Sequence, residues 1–198
     1  MKLLLATHNK HKITELKDAL KNTGFEILSL DDIPDLPEVI EDGDTLEHNS
    51  LKKARELFEH TGIITLADDT GLEVEHLNGE PGVYSARWAG EGCTYKDNCE
   101  KLLRELHNVA PNERKASFRC VITLFGKDIF KTAEGVLNGY IIDHYRGTEG
   151  FGYDPLFVPE GYNVTLAEMS LDEKNKISHR GLAVKKMVGI IREIKKAE

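Results

Sequence analysis

The sequence predicts an α/β domain, and three stretches carry that expectation. Residues 63–74, from Ile63-Ile64-Thr65-Leu66-Ala67 through Asp68-Asp69-Thr70-Gly71 to Leu72-Glu73-Val74, open as a continuous apolar run containing β-branched residues. Such a run reads as a strand buried on both faces. Residues 2–6 read as a first strand that feeds directly into a helix over about 10–21. Ala116 to Phe125 is a strong strand pattern, and Gly126-Lys127-Asp128 turns it into Ile129–Asn138 as a hairpin. A chain of 198 residues with 40% hydrophobic and 30% charged residues suits one domain, residues 1–198, or one domain with a lobe.

The first helix follows from Ile13, Leu16 and Leu20 at helical spacing, with Gly24 as its stop signal. Residues 25–30 read as a second strand, and Asp31 to Asp44 as an acidic loop holding Pro34 and Pro37. Asp44-Thr45-Leu46-Glu47 has the spacing of a capping box and opens a helix to about His60. Leu51, Ala54, Leu57 and Phe58 supply that helix's apolar face, and Gly62 closes it. After the central strand, Asn78-Gly79-Glu80-Pro81-Gly82 is dense turn chemistry. Thr94 caps a helix over about 95–106 that buries Cys99, Leu102, Leu103 and Leu106. A short helix is expected near 165–169, and Ser170-Leu171-Asp172-Glu173 is another capping-box pattern. Ser178 caps the last helix, which buries Val184, Met187, Ile191 and Ile194.

Composition narrows the function. A net charge of −8 argues against a nucleic-acid polymer as the partner, because phosphate backbones attract basic surfaces. It leaves room for a nucleotide in a local basic pocket, with a divalent metal arriving alongside the polyanion. No apolar run approaches the roughly 20 residues that span a bilayer, and no membrane partner is expected. The apolar stretch at the N-terminus stops at His8-Asn9-Lys10, so it reads as a strand and not a leader. Three cysteines, Cys93, Cys99 and Cys120, lack metal-ligand spacing and point to reduced thiols in the cytoplasm.

Chemistry gathers at three places. Asp68 and Asp69 end the apolar run of the central strand, where α/β folds tend to place ligands; an Asx turn completed by Thr70-Gly71 is the bland alternative. Adjacent strand residues point to opposite sides, so at most one of the two carboxylates faces a given pocket. Thr7-His8-Asn9-Lys10-His11-Lys12 joins a strand to a helix, where free N–H groups and the positive dipole end favour an anion. Lys10 and Lys12 sit poorly there unless an anion offsets them; otherwise Thr7 or Asn9 simply caps the helix and the lysines are solvated. On that second reading, removing Lys12 would slightly stabilise the protein. His179 and Arg180 repeat the pattern in the first turn of the last helix. Between them in the chain, Gly147-Thr148-Glu149-Gly150-Phe151-Gly152-Tyr153-Asp154 combines close backbone approach with Phe151 or Tyr153 as a stacking ring; its alternative is a tight bend with core aromatics. Glu41 and Asp42, just before the second helix, are dipole partners or outer metal ligands. No Gly-x-x-x-x-Gly-Lys-Ser/Thr loop is present.

Assembled, these stretches resemble the Ham1/inosine triphosphatase family, which hydrolyses non-standard purine nucleoside triphosphates. The resemblance rests on Ala6 to Lys12, Ala67-Asp68-Asp69-Thr70-Gly71-Leu72, Pro81-Gly82-Val83-Tyr84-Ser85-Ala86-Arg87, Phe151-Gly152-Tyr153-Asp154-Pro155 and Ile177-Ser178-His179-Arg180, in the family's order across nearly the whole chain. It implies a mixed α/β fold with a long, bent central sheet, two lobes and a nucleotide cleft between them. It also implies a homodimer, Mg²⁺ dependence, and cleavage of inosine, deoxyinosine or xanthosine triphosphate (ITP, dITP, XTP) to monophosphate and pyrophosphate. By the same resemblance Thr7, His8, Asn9, Lys10, His11 and Lys12 hold the triphosphate, with Lys174 reaching it. Asp69 is the acidic centre, serving the metal and the attacking water, and Glu41 is the second metal carboxylate. Thr70 stands where Ser is common, and His11 where many members carry Gly. Phe151, Gly152, Tyr153 and Asp154, with His179 and Arg180, resemble the base-reading elements.

The implied specificity has a physical basis. Inosine and xanthosine carry an oxo group where adenosine carries an amine, and donors from His179 and Arg180 would pair with the first and clash with the second. Two other readings compete. A nucleotide-sensing module would need the basic loop and base pocket but no metal carboxylates. A haloacid-dehalogenase-type phosphatase would need an Asp-x-Asp nucleophile, whereas Asp68 and Asp69 are adjacent.

Overall fold

The structure is a computed structural model that describes residues 1–197. Its strands are β1 (Lys2–Leu5), β2 (Glu26–Ser29), β3 (Ile64–Val74), β4 (Pro81–Gly82), β5 (Lys115–Gly126), β6 (Ile129–Ile141) and β7 (Phe157–Pro159). They form one seven-stranded sheet in the order β2-β1-β3-β5-β6-β7, with β4 paired to β3. β1 runs parallel to β2 and β3, while β4 and β7 pair antiparallel to β3 and β6, so the sheet is mixed. The helices are α1 (Lys10–Leu20), α2 (Leu46–Thr61), α3 (Tyr95–Glu105), α4 (Leu171–Ile177) and α5 (His179–Ala197). The α/β class expected from the sequence is the one observed.

The residues divide into two compact units. Met1–Asp69, Cys120–Glu134 and the chain from Ala183 onward make the first; Thr70–Arg119 and Gly135–Leu182 make the second. In the first unit, Leu3, Leu5 and Leu66 pack against Leu16 and Leu20 of α1 and Ala183, Val184, Met187 and Ile191 of α5. On the opposite face, Leu4, Ala6 and Ala67 pack against Ala54 and Leu57 of α2. Coverage of both faces explains why β1 reads as an unbroken apolar run. Each fully buried leucine there contributes about 2 kcal/mol relative to exposure. In the second unit, Leu72 and Val74 meet Cys99, Leu102 and Leu106 of α3 in a core that also holds Phe118 and Phe157, whose ring centroids are 4.7 Å apart.

Local boundaries follow the expected chemistry with a few corrections. Thr45, not Asp44, is the N-cap of α2: its Oγ1 accepts from His48 N–H at 3.1 Å. Gly62 closes α2 in the left-handed region at φ 68°, and Thr94 with Asp97 makes a full capping box on α3. Ser170 and Glu173 do the same for α4. The expected short helix near 165–169 is a single 3₁₀ turn, Leu166–Glu168.

The main correction concerns the central strand. β3 does not stop at Asp68-Asp69; it continues as eleven extended residues, so no Asx turn forms there. The rim reading survives in another form. The last β1–β3 pair is Leu5↔Leu66, so the parallel neighbour ends two residues before Asp68. The carboxylates therefore lie just past the end of the parallel ladder while the strand itself runs on.

Candidate functional site

Alternation along β3 sends its two aspartates to different helices. Leu66 belongs to the core under α1 and Ala67 to the core under α2, so Asp68 follows Leu66 and Asp69 follows Ala67. Asp68 Oδ2 accepts from Lys12 Nζ of α1 at 2.8 Å, with the Asp68 side chain fully enclosed. Asp69, also buried, hydrogen-bonds Asn49 of α2 and sits in the field of Lys53 and Glu41. Burial pushes the Asp69 carboxyl up, and Glu41 adds to this; Lys53, Lys12 and Asn49 pull it back only in part.

Lys53 and Asn49 are residues that the sequence reading missed. Lys53 Nζ donates to Glu41 Oε1 at 2.9 Å and to the Asp68 carbonyl at 2.7 Å. Burial alone would push this ammonium down, but the carboxylates of Asp69, Glu41 and Asp68 hold it above the usual lysine range. Asn49 Oδ1 accepts from Gly43 N–H at 2.8 Å, which anchors the acidic loop near Glu41. A signal was present. Asn49, Ser50 and Lys53 fall at the same helical spacing as Leu46, Ala54 and Leu57, and all six are buried. Polar residues on the core face of an amphipathic helix need partners.

The Thr7–Lys12 segment joins β1 to α1 with Asn9 as its cap. Asn9 Oδ1 accepts from His11 N–H at 3.0 Å and Lys12 N–H at 3.3 Å, and Asn9 N–H reaches Thr7 Oγ1 at 3.2 Å. His8 is exposed, with Nδ1 3.9 Å from Asp31. His11 has ordinary helical backbone; among the described residues only Asp35 and Asn78 combine a side chain with positive φ. A histidine at this position therefore costs no backbone strain. Lys12 departs from both sequence readings. It is mostly enclosed and already paired with Asp68, which supplies an internal anion at the first turn of α1. Thr70 follows Asp69 along β3 and opens the second unit.

In the second unit Phe151, Asp154, Lys174 and Arg180 lie together, while His179 and Tyr153 make contacts of their own. Asp154 is buried and accepts at Oδ2 from Lys174 Nζ at 2.7 Å and from Phe151 N–H at 2.8 Å. Burial pushes the Asp154 carboxyl up, against the pull of Lys174 and Arg180. The Phe151 ring carries Lys174 Nζ 4.9 Å and Arg180 Cζ 5.5 Å from its centroid. His179 stacks on Phe118 at 4.7 Å with 12° between the rings. Ser178 caps α5 by accepting from Gly181 N–H at 3.0 Å. Gly152 holds φ 63°, and its carbonyl accepts from Cys99 Sγ at 3.3 Å. Tyr153 lies in the core and donates its hydroxyl to the Ser85 carbonyl at 3.0 Å. The Phe151 ring, by contrast, lies 5.9 Å from the Tyr95 ring and carries the two cations. Ser85 Oγ in turn accepts from Leu72 N–H at 2.8 Å and donates to the Gly82 carbonyl at 2.6 Å, fastening the Pro81–Arg87 segment to β3.

The arrangement is an α/β protein with two clusters in which buried carboxylates are matched to buried cations, one set around Asp69 and one around Asp154. The Ham1 family model matches residues 3–190. The chain belongs to the Ham1 family. It is 50% identical over 191 residues to a dITP/XTP pyrophosphatase of Thermoanaerobacter sp. (strain X514), covering 96% of each chain. It is 53% identical over 194 residues to one from Elusimicrobium minutum (strain Pei191), covering 94% of this chain and 98% of that one. Among solved structures, a HAM1 protein from Coxiella burnetii superposes with a TM-score of 0.91 at 35% identity, covering 98% of this chain and 99% of that one. A nucleoside-triphosphatase described as a dITP/XTP pyrophosphatase from Mycobacterium abscessus does so with a TM-score of 0.80 at 41% identity, covering 94% and 98%.

Proposed function

We propose that this chain is a nucleoside triphosphate pyrophosphatase that hydrolyses non-standard purine nucleotides, ITP, dITP and XTP, to the monophosphate and pyrophosphate. It would thereby remove deaminated purines from the nucleotide pool. The relatives' names support the reaction, and the buried Asp69, flanked by Glu41, Lys53 and Asn49, carries the reading for this chain. Residues 1–198 act as one functional domain. Thr7–Lys12 bind the triphosphate through the N-terminal N–H groups of α1 and the lysine charges, with Lys174 as the further cation implied by the resemblance. Thr70 adds a hydroxyl beside Asp69.

Asp69 takes the proton of the attacking water on its carboxylate, a task suited to an acid whose pKa lies above the usual carboxylate value. Phe151 supplies the ring for the base, while His179 and Arg180 supply donors to its six-oxo group; Gly152, Tyr153 and Asp154 shape and hold that segment.

Among the described residues no group of three or more His, Cys, Asp or Glu is arranged to hold a metal ion. Mg²⁺ in nucleotide enzymes typically uses one or two carboxylates plus substrate phosphates, and Asp69 with Glu41 meets that need in donor chemistry. When bound, Mg²⁺ would neutralise phosphate charge and help present the water. A homodimer in the cytoplasm completes the proposal. The three cysteines are free thiols, in keeping with a reducing compartment, and no described helix is long and apolar enough to cross a membrane.

The test is to incubate the pure protein with ITP and Mg²⁺ and separate pyrophosphate from orthophosphate. Pyrophosphate with inosine monophosphate is expected. Orthophosphate release, or binding without turnover as in a sensing module, would overturn the reading. Light scattering of the same sample reports the dimer.

A further inference from the structure

Glu41 is both the carboxylate that Lys53 holds and the one assigned to the metal, so the two cations would compete for its negative charge. Its Oε1 accepts from Lys53 Nζ at 2.9 Å, and the same ammonium donates to the Asp68 carbonyl at 2.7 Å. Lys53 comes from the core face of α2, fourth after Asn49, with its side chain only 10% exposed. Glu41, in the loop before α2, is 31% exposed. The ammonium thus lies where the proposed divalent ion would draw on Glu41. Mg²⁺ sits about 2.0–2.1 Å from a carboxylate oxygen, so on Glu41 it would meet the repulsion of the neighbouring ammonium. Lys53 has a flexible four-carbon stem and keeps a second anchor in the Asp68 carbonyl, so it can leave Glu41 without leaving the site.

We propose that Lys53 is a resident cation that neutralises Glu41 and Asp69 in the metal-free protein and must release Glu41 before a divalent ion can bind there. This deepens, and rests on, the reading of Glu41 and Asp69 as metal ligands. The apparent affinity for the free ion is lowered by the fraction of molecules in which Lys53 holds Glu41. The triphosphate supplies negative charge for both cations, so ion and nucleotide enter together and the free protein holds little metal.

Mn²⁺ titrations followed by electron paramagnetic resonance, without nucleotide, test this on wild type, Lys53→Met, Lys53→Arg and Glu41→Gln. Lys53→Met is expected to bind Mn²⁺ at least tenfold more tightly than wild type, and Lys53→Arg to match wild type. Equal or weaker binding by Lys53→Met overturns the proposal. Glu41→Gln separates the two ideas. If it leaves Mn²⁺ binding unchanged in both the wild-type and Lys53→Met backgrounds, the metal reading itself fails. If it abolishes binding while Lys53→Met shows no gain, the metal reading stands and the resident-cation proposal falls. Should Lys53→Met fail to fold, the wild-type protein still decides. The ammonium resonance of Lys53, assigned by its absence in Lys53→Arg, should shift when Mg²⁺ is added to protein saturated with a non-hydrolysable ITP analogue, and an unchanged resonance overturns the proposal.

Discussion

Lys12 Nζ lies 2.8 Å from Asp68 Oδ2, joining the first turn of α1 to the interior of β3. The Lys12 side chain is 16% exposed and the Asp68 side chain not at all. Such a pair behaves unlike a surface bridge, because removing one partner strands charge away from water. The lysine is therefore tolerated at a helix N-terminus by an internal anion.

Lys12→Ala is accordingly expected to destabilise the protein by about 1.5–3 kcal/mol, the range for a hydrogen bond to a charged group. The dipole argument alone predicts a slight gain. Urea unfolding of Lys12→Ala against Lys12→Met/Asp68→Asn decides it. The double variant should recover most of the loss, and a more stable Lys12→Ala would refute the pair's role. The KM for triphosphate should rise as well.

Asp69→Asn should trade activity for stability. The Asp69 carboxyl is raised above its ordinary 3.8, chiefly by burial. A raised acid binds its proton more tightly in the folded state, so its ionisation costs stability as pH rises through the raised value. The penalty grows as pH rises through the raised value and fades as pH falls towards 3.8. In chelator, Asp69→Asn is thus expected to melt above wild type at pH 7, with the gap closing on acidification. Turnover should fall by about 10²–10⁴-fold, the usual contribution of a general base. A variant that melts lower at pH 7, or keeps wild-type turnover, contradicts this account.

Arg180→Ala tests base selection. Arg180 is buried, faces the Phe151 ring at 5.5 Å and lies in the field of Asp154. Loss of a charge-assisted hydrogen bond of about 1.5–3 kcal/mol should lower kcat/KM for ITP by roughly one to two decades, with little change in the poor rate on ATP. Equal losses on both substrates would make Arg180 a phosphate or packing residue.

Gly150 and Gly152 form a controlled pair. Both have positive φ, 77° and 63°, but a Cβ on Gly150 would strike Asp154 Oδ2, while one on Gly152 meets nothing within 4 Å. Gly152→Ala should cost only the left-handed backbone penalty of about 1–2 kcal/mol. Gly150→Ala should cost more and disturb the Asp154–Lys174 pair. Chemical denaturation of the two variants side by side measures the difference; equal losses would mean that Asp154 yields freely.

Much of the fold was legible because its signals are local. Apolar runs marked β1 and β3, and Thr94, Gly62, Ser170 and Ser178 marked helix ends through short-range hydrogen bonds. The continuation of β3 past two aspartates was not legible. Charged residues look like the end of a strand until partners from elsewhere, Lys12 and Lys53, neutralise them. Pairings across 56 and 15 residues leave no mark on either segment alone. Lys53 was hidden by the habit of a lysine to lie on the wet side of a helix. Its position among Leu46, Asn49 and Leu57 was the only clue.

The core around Leu3 and Leu5 is completed by Ala183, Val184, Met187 and Ile191 of α5. During synthesis, the first strand leaves the ribosome long before the helix that will cover it exists. Until then one face of β1 has only α1 and the later strands against it, and its leucines are open to wrong partners in the crowded cell. A premature stop upstream of Ala183 would leave that core permanently unfinished, with Leu3 and Leu5 covered by α1 and the other strands alone, yielding a chain destined for degradation and not a smaller working enzyme.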